Sequence, residues 1–418
     1  MMTTIPIDRK GLRPPRRRGQ QRLWCVPEAL LRDPDSSPID GAVILQEIRG
    51  DRGLLLWQSA RDVLLWTDTD PNDRHELFAP DAIIQRQYLL QVAQMPCDAG
   101  AAVRTIAQLL RGHPARDGDA RLVKRACHQI ARWAETEGAS RTAITFAQAA
   151  AAACPKEAKA ALRVGHLSAR VGHHALTESW LWRAVALARR EGDWSTYGNA
   201  YLDLAHLAER RNERRKVRSR FTRALRVGKR YGHSAMRALA YHGLFRLASA
   251  EFEFADADRY ARAALRFFGK EHPLRPTILH EYADLLLKQA TAGALTPIEA
   301  GHLAVDVLAS VIPDRATESE RIDSLLLLVR AASYAKQRVV MENAWFDAVT
   351  AIESLGESPE AGHHLLELAR ATAEILEERR ADELAQRALT LAMRTRDRAL
   401  SAEVNSFLAR PRLRAVAS

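Results

Sequence analysis

Residues 160–167 read AALRVGHL, residues 200–207 read AYLDLAHL and residues 240–247 read AYHGLFRL. The three stretches lie forty residues apart, and each places apolar residues at i, i+4 and i+7: Ala160, Val164 and Leu167, then Ala200, Leu204 and Leu207, then Ala240, Leu244 and Leu247. That spacing puts one apolar stripe along a helix. A second pattern follows each stretch: a small residue, a larger one four positions on, and a small one three later. It reads Val217–Phe221–Ala224, Ala257–Ala261–Ala264, Ala300–Ala304–Val307, Met341–Trp345–Ala348 and Ala381–Ala385–Ala388, with looser copies at Thr142–Phe146–Ala149 and Thr177–Leu181–Ala184. From Ala149 to Ala388 the third members fall 35, 40, 40, 43, 41 and 40 residues apart. Self-similarity at such a period is the signature of stacked repeats.

Composition agrees. Of 418 residues, 47% are hydrophobic and only 6% aromatic. The apolar share is rich in alanine and leucine, which are strong helix formers, and alanine lets helices approach closely. The chain reads as all-α from about residue 80 onward. Stacked units share one continuous core, so the length implies one elongated array rather than several globular domains. The four cysteines, Cys25, Cys97, Cys127 and Cys154, form no C-x-x-C pair. They read as small residues of a reducing cytosol. Met1 to Gln21 carries Arg9, Lys10, Arg13, Arg16, Arg17 and Arg18 without an apolar stretch, unlike a secretory signal, and no run approaches a membrane span. A cytoplasmic protein with no membrane partner is expected.

Four segments follow. Residues 1–22 form a basic arm expected to be disordered. Residues 23–118 form an N-terminal module whose apolar clusters (Ile44, Leu45 and Ile48; Leu54 to Trp57; Val63 to Trp66) fit short helices or a small hairpin equally. Toward its end, helices are expected at Ala82–Met95 and Ala99–Arg111, before a break at Gly112 to Asp119. Residues 119–397 form the repeat array of about seven helix pairs, with turn residues such as Pro155, Gly192, Gly232, Gly269, Pro313 and Gly356 between helices. Residues 398–418 supply a capping helix at Ala399–Leu408 and a tail.

Over about residues 120–397 the chain resembles the tetratricopeptide repeat (TPR) family. The trio matches that family's second helix, and Gly165, Ala205 and Ala369 match the small residue where paired helices cross. Phe245 and Val329 replace it in two units, and a period near forty exceeds the family's period of about 34. Each helix is therefore about a turn longer, and HEAT or armadillo units stay open as the structural alternative. The resemblance implies a right-handed α-solenoid whose first helices line a concave groove. It implies no chemistry. The carboxylate clamp some members use on chaperone tails is not implied, because the matching positions hold Leu162, His166, Asp203, Leu239 and Gly243.

Nothing in the chain reads as an active site. A glycine-rich phosphate loop, G-x-S-x-G and H-E-x-x-H are all absent. The pairs His173–His174 and His363–His364 are the nearest approach to metal ligands, but adjacent helical side chains diverge by about 100°. No cofactor, no metal and no enzymatic activity are expected.

The charge distribution says more. The net charge is +11, from 62 Lys/Arg against 51 Asp/Glu. The residue after each crossing position is His166, His206, Arg246, Arg330 or Arg370, and Arg170 and Arg210 lie four further along two of those helices. Lys159 and His242 add to the set, while the unit containing Leu286 and Gln289 breaks it. Such a row presents a cationic track to an acidic ligand. A denser cluster runs from Arg210 to Arg230: Arg210, Arg211, Arg214, Arg215, Lys216, Arg218, Arg220, Arg223, Arg226, Lys229 and Arg230, against the single Glu213. It is a basic patch attractive to phosphates and acidic tails alike.

The leading expectation is a non-enzymatic interaction scaffold holding an acidic protein or peptide segment in the groove. One alternative is a bacterial signal- or peptide-responsive regulator in which residues 23–118 act as effector module. Another is nucleic-acid binding through the 210–230 helix. The plainer account of that helix, a solvated arginine-rich face, ranks ahead of dedicated nucleic-acid binding.

Overall fold

The computed structural model describes residues 42–70, 72–77, 90–94, 98–111, 118–315, 317–374 and 377–410. The basic arm at 1–22, the tail beyond Arg410 and most of the helix expected at Ala82–Met95 lie outside these residues. The described chain divides into two compact units, Met1–Ala200 and Tyr201–Ser418. Helices without any strand make up the described residues of both.

The first unit opens with α1 (Ala42–Glu47), α2 (Gly50–Asp68) and the short α3 (Arg74–Leu77), so the apolar clusters there form helices and not a hairpin. Gly53, which reads as a breaker, sits inside α2. A Cβ on it would fall 1.9 Å from the Ile48 carbonyl oxygen, so glycine is what lets α1 turn back onto α2. Next come α4 (Asp98–Arg111), α5 (Asp119–Thr136), α6 (Ser140–Ala153), α7 (Ala158–Val171) and α8 (His174–Glu191). The helices α5 and α6 pack as one pair and α7 and α8 as the next.

The N-terminal helices are tied to the first pair. Ala139, at the N-cap of α6, has no side chain able to accept from the helix's first amides. The Glu47 carboxylate, from the end of α1, takes that role. It accepts from Arg141 N at 3.0 Å, from Thr142 N at 2.7 Å and from Thr142 Oγ1 at 2.8 Å. An anion at a helix N-terminus satisfies orphan donors and meets the positive end of the dipole. Behind this contact α2 packs on both α4 and α6.

Helix α9 (Trp194–Arg210) carries residues of both units. In the second unit follow α10 (Arg214–Arg230), α11 (Ser234–Ala250), α12 (Phe254–Phe267), α13 (Arg275–Thr291), α14 (Pro297–Val311), α15 (Glu318–Tyr334), α16 (Arg338–Ser354), α17 (Pro359–Glu374), α18 (Glu378–Thr395) and the closing α19 (Arg398–Leu408). The pairs α11–α12, α13–α14, α15–α16 and α17–α18 pack most extensively, and each first helix also touches the first helix of the next pair. This succession of packed helix pairs, each contacting its neighbours, is the arrangement of a TPR-like α-solenoid.

The repeated trio explains the packing. Thr142, Phe146 and Ala149, then Thr177, Leu181 and Ala184, then Val217, Phe221 and Ala224 are all buried, as are Ala257, Ala261 and Ala264, and Ala381, Ala385 and Ala388. Large and small residues alternate across each crossing. In the first unit Gly165 lies against Leu181, where a Cβ would come within 2.7 Å of Leu181 Cδ2. In the second unit the assignment reverses: the bulky crossing residue Phe245 is buried in one cluster with Ala257, Ala261 and Ala264. Total volume is conserved at a crossing although neither residue is. Two trios are rotated. Val307 is half-buried while Leu308 is fully buried. Trp345 is also half-buried, leaving Ala344 and Ala348 inside while its indole N–H donates to Thr372 Oγ1 at 3.1 Å.

Several turns close on a left-handed residue that is not glycine. Asn212, Phe252, Lys336 and Arg396 have φ of 54°, 59°, 56° and 58°. For Phe252, Lys336 and Arg396 this costs about 1–2 kcal/mol each relative to glycine, whereas asparagine adopts the region more readily. Each follows the helix end that its amide caps, with Asn212 N donating to Glu209 O and Phe252 N to Ser249 O.

Candidate partner-binding faces

The residues expected to line the groove stand on first helices, and Arg170, Arg246, Arg330 and Arg370 each meet a carboxylate from a neighbouring helix. In the first unit, Glu135 of α5 is held between Arg163 and Arg170 of α7. His166 is half-buried one turn from Arg170.

In the second unit a longer network forms. His206 Nδ1 lies 3.2 Å from Glu209 Oε2 on α9. Arg246 of α11 reaches Glu209 at 3.4 Å on one side and Glu281 of α13 at 3.9 Å on the other. His242 Nε2 sits 2.6 Å from the second oxygen of Glu281. Further along, Arg330 Nε of α15 meets Glu374 of α17 at 3.0 Å, and Arg370 of α17 joins Glu367 and Glu403. Arg210 is exposed at the end of α9. The row of cations is thus one half of an alternating ladder, in which successive first helices exchange opposite charges. Burial pushes the Glu209 carboxyl up, but the His206 hydrogen bond and the charges of Arg246, His206 and His242 outweigh it and hold the carboxyl below its usual range.

The glutamates were absent from the sequence expectation. Their signal was present as opposite charges one repeat apart: Glu135 with Arg170, Glu209 with Arg246, Arg246 with Glu281 and Arg370 with Glu403 lie 35, 37, 35 and 33 residues from one another. The unit that breaks the cationic row does so because Leu286 and Gln289 of α13 are buried, and Glu281 supplies the acid there instead.

Where α9, α11 and α13 adjoin, a cleft of about 350 Å³ opens within the second unit. Its charged walls are Glu209, Glu281 and Asp284 against Arg214, Arg246 and Lys288. Lys288 Nζ pairs with Asp284 at 2.6 Å. Arg214 is exposed and forms no ion pair among the described residues.

The basic patch on α10 separates into three groups. Arg220 does not belong to the surface. It is 8% exposed, and its guanidinium donates to the Leu204 carbonyl at 2.7 Å, so it lies among the buried residues Val217, Phe221 and Ala224. Arg218 is held by Glu251 and Glu253 of the α11–α12 turn, and Lys216 pairs with Glu213 at 2.8 Å. Arg215, Arg223, Arg226, Lys229 and Arg230 are exposed, with Lys229 over the Tyr241 ring and Arg230 over Tyr231.

The histidine pair on α17 splits as adjacent helical residues must. His363 turns to Asp397 at 3.3 Å, and His364 to Asp323 at 3.4 Å and the Ser319 hydroxyl at 3.0 Å. Among the described residues no helix is long and apolar enough to cross a membrane, and no cluster of three or more His, Cys, Asp or Glu side chains is placed to hold a metal ion.

No family profile and no curated protein sequence matches the chain. Among solved structures, the chain is similar to the aspartyl phosphate phosphatase F of Bacillus subtilis at 10% identity, covering 82% of this chain and 95% of that one, with a TM-score of 0.44. A Rap protein complexed with competence and sporulation factor gives 10% identity, 82% and 99% coverage and a TM-score of 0.41. BtubC from P. vanneervenii gives 14% identity, 57% and 93% coverage and a TM-score of 0.41. At this level of similarity the fold rests on the chain's own packed pairs.

Proposed function

We propose that the chain is a non-enzymatic protein-interaction scaffold that lays an extended segment of a partner protein across its first helices, seated in the α9–α11–α13 cleft. The observation that carries this reading is the cleft itself. It is large enough for two or three side chains, its walls offer both charge signs, and it opens on the charged ladder. Glu209 and Glu281 can accept from a partner's backbone amides, and Arg246 can donate to its carbonyls. The acidic partner expected from the cationic row is narrowed accordingly. A continuous run of carboxylates would have to displace Glu209, Glu281, Glu374 and Glu403 from their arginines. One acidic side chain against Arg214 displaces nothing, so the segment proposed is of mixed charge with an acidic anchor.

A displayed library of 15-residue peptides, selected on the full chain, tests this. Enrichment of a mixed-charge consensus with a fixed Asp or Glu is expected, and it should be lost on Arg214→Glu and weakened on Arg246→Glu. Failure to enrich, or a consensus indifferent to both substitutions, would remove the reading.

A further inference from the structure

Helix α10, which contributes Arg214 to the cleft, carries a second charged surface along its exposed side. Its seventeen residues contain nine Lys/Arg and no Asp or Glu. Val217, Phe221, Ala224 and Leu225 fill its buried side. Counting at 100° per residue, Arg215, Ser219, Arg223, Arg226 and Arg230 fall within about 80° of one another on the opposite side, and all five are exposed.

The other second helices of this unit neutralise many of their cations. On α12, Arg259 pairs with Asp256 and Arg262 with Asp258. On α18, Arg379, Arg380, Arg387 and Arg394 pair with Glu383, Glu377, Glu353 and Glu357. On α10 the exposed Arg215 and Arg226 form no ion pair among the described residues, and Arg230 and Lys229 rest on tyrosine rings that leave their charge intact. Arg215, Arg226, Lys229 and Arg230 are therefore a concentration of positive charge without a balancing carboxylate among the described residues.

We propose that this face docks on the phosphate backbone of duplex DNA. Three features select that occupant. First, protein interfaces depend on an apolar or aromatic centre, with charges kept to the rim; here the apolar residues of α10 point inward. Second, single strands are held by stacking bases on aromatic rings, and the stripe itself carries no aromatic residue. Third, a rigid row of arginines about 22 Å long, from Arg215 to Arg230, matches a rigid rod of phosphates, about six along one strand. Ser219 and Thr222 can add neutral donors to phosphate oxygens. Contacts to phosphate oxygens position the duplex and carry no base information, so the binding proposed is independent of sequence.

Fluorescence anisotropy of the full chain with a labelled 20-base-pair duplex of arbitrary sequence, measured from 50 to 300 mM KCl, tests the proposal. A plot of log K against log [KCl] with a slope of about −4 is expected for phosphate contacts from Arg215, Arg226, Lys229 and Arg230. Arg215→Gln, Arg226→Gln and Arg230→Gln should each make the slope shallower by about one, and the triple variant should lose at least tenfold in affinity at 100 mM salt. All three side chains are exposed, so an unchanged melting temperature will show that the fold is kept. Arg379→Gln, on a different helix, should bind as the parent chain does. A flat salt dependence, or a triple variant that binds normally, would overturn the proposal. So would tighter binding of a 20-residue poly-glutamate peptide, which would assign the face to an acidic protein, or tighter binding of a single strand of equal charge.

Discussion

Gly243 of α11 and Phe221 of α10 are in such close contact that a Cβ on the glycine would fall 2.2 Å from Phe221 Cζ. Phe221 is fully buried, so its ring has no free space to retreat into. In an open helix, alanine in place of glycine gains about 1 kcal/mol. Here overpacking outweighs that gain, and Gly243→Ala should lose about 1–3 kcal/mol of stability. Phe221→Leu should restore part of the loss in the double variant, a non-additivity that chemical denaturation of the four chains will measure.

Glu47→Ala should uncap α6. The expected cost is about 1–2 kcal/mol, the range for losing a side-chain N-cap. Glu47→Gln, which retains an acceptor but no charge, should cost less. Hydrogen exchange will locate the effect: amides of Arg141 and Thr142 should lose protection first.

Glu281→Ala leaves both Arg246 and His242 without one of their carboxylates. These side chains are partly exposed, so the stability cost should stay near or below about 1 kcal/mol. A double-mutant cycle with Arg246→Ala, repeated at low and high salt, should give a coupling that shrinks as salt rises. A coupling that salt leaves unchanged would mean the pair is not solvent-screened as its exposure requires.

His280 of α13 gives the second unit a pH dependence. Its Nδ1 lies 3.1 Å from Ser324 Oγ, which also accepts from Arg315 Nε at 2.9 Å. Burial, and then the Arg315 charge, lower its pKa below the ordinary histidine value, against smaller opposing effects from Asp323, Asp284 and Glu281. In the unfolded chain His280 protonates near its usual value of about 6.5, while the folded chain resists. The unfolded state therefore binds more protons in this window. Stability from this site is complete above that value and is lost as pH falls through the folded one. Between pH 7 and 5 the His280→Gln chain should lose stability less steeply than the parent, as read from denaturation midpoints at each pH.

The array was legible in the sequence because its packing rule is local. Residues three and four apart form one stripe, and the stripe recurs with each helix pair. Phe245 shows why a repeat survives a broken consensus: the room it needs was already written forty residues downstream of Phe221, as Ala257, Ala261 and Ala264. The ladder was half legible. Arginines at one recurring position stood out, but Glu209, Glu281 and Glu403 approach them only after the first helices stack, and no short-range pattern marks that. Arg220 was misassigned to the surface for a related reason. Arg215 and Arg223 on the same helix are exposed, yet its own position falls on the buried side, where the Leu204 carbonyl accepts its hydrogen bond. Glu47 could not have been foreseen at all, since its partner lies 94 residues away.

The far end of the second unit is finished differently. Arg410 lies over the Phe407 ring at 3.5 Å, donates to the Phe407 carbonyl at 2.8 Å and reaches Glu378 and Asp382 of α18. One side chain thus buckles the last helix to the one before it. For anyone engineering this chain, Arg410 marks a limit at the carboxyl side: a reporter fused after it keeps the buckle, while a stop codon only a residue earlier leaves α19 to its apolar contacts and the Glu403–Arg370 and Asp397–His363 pairs.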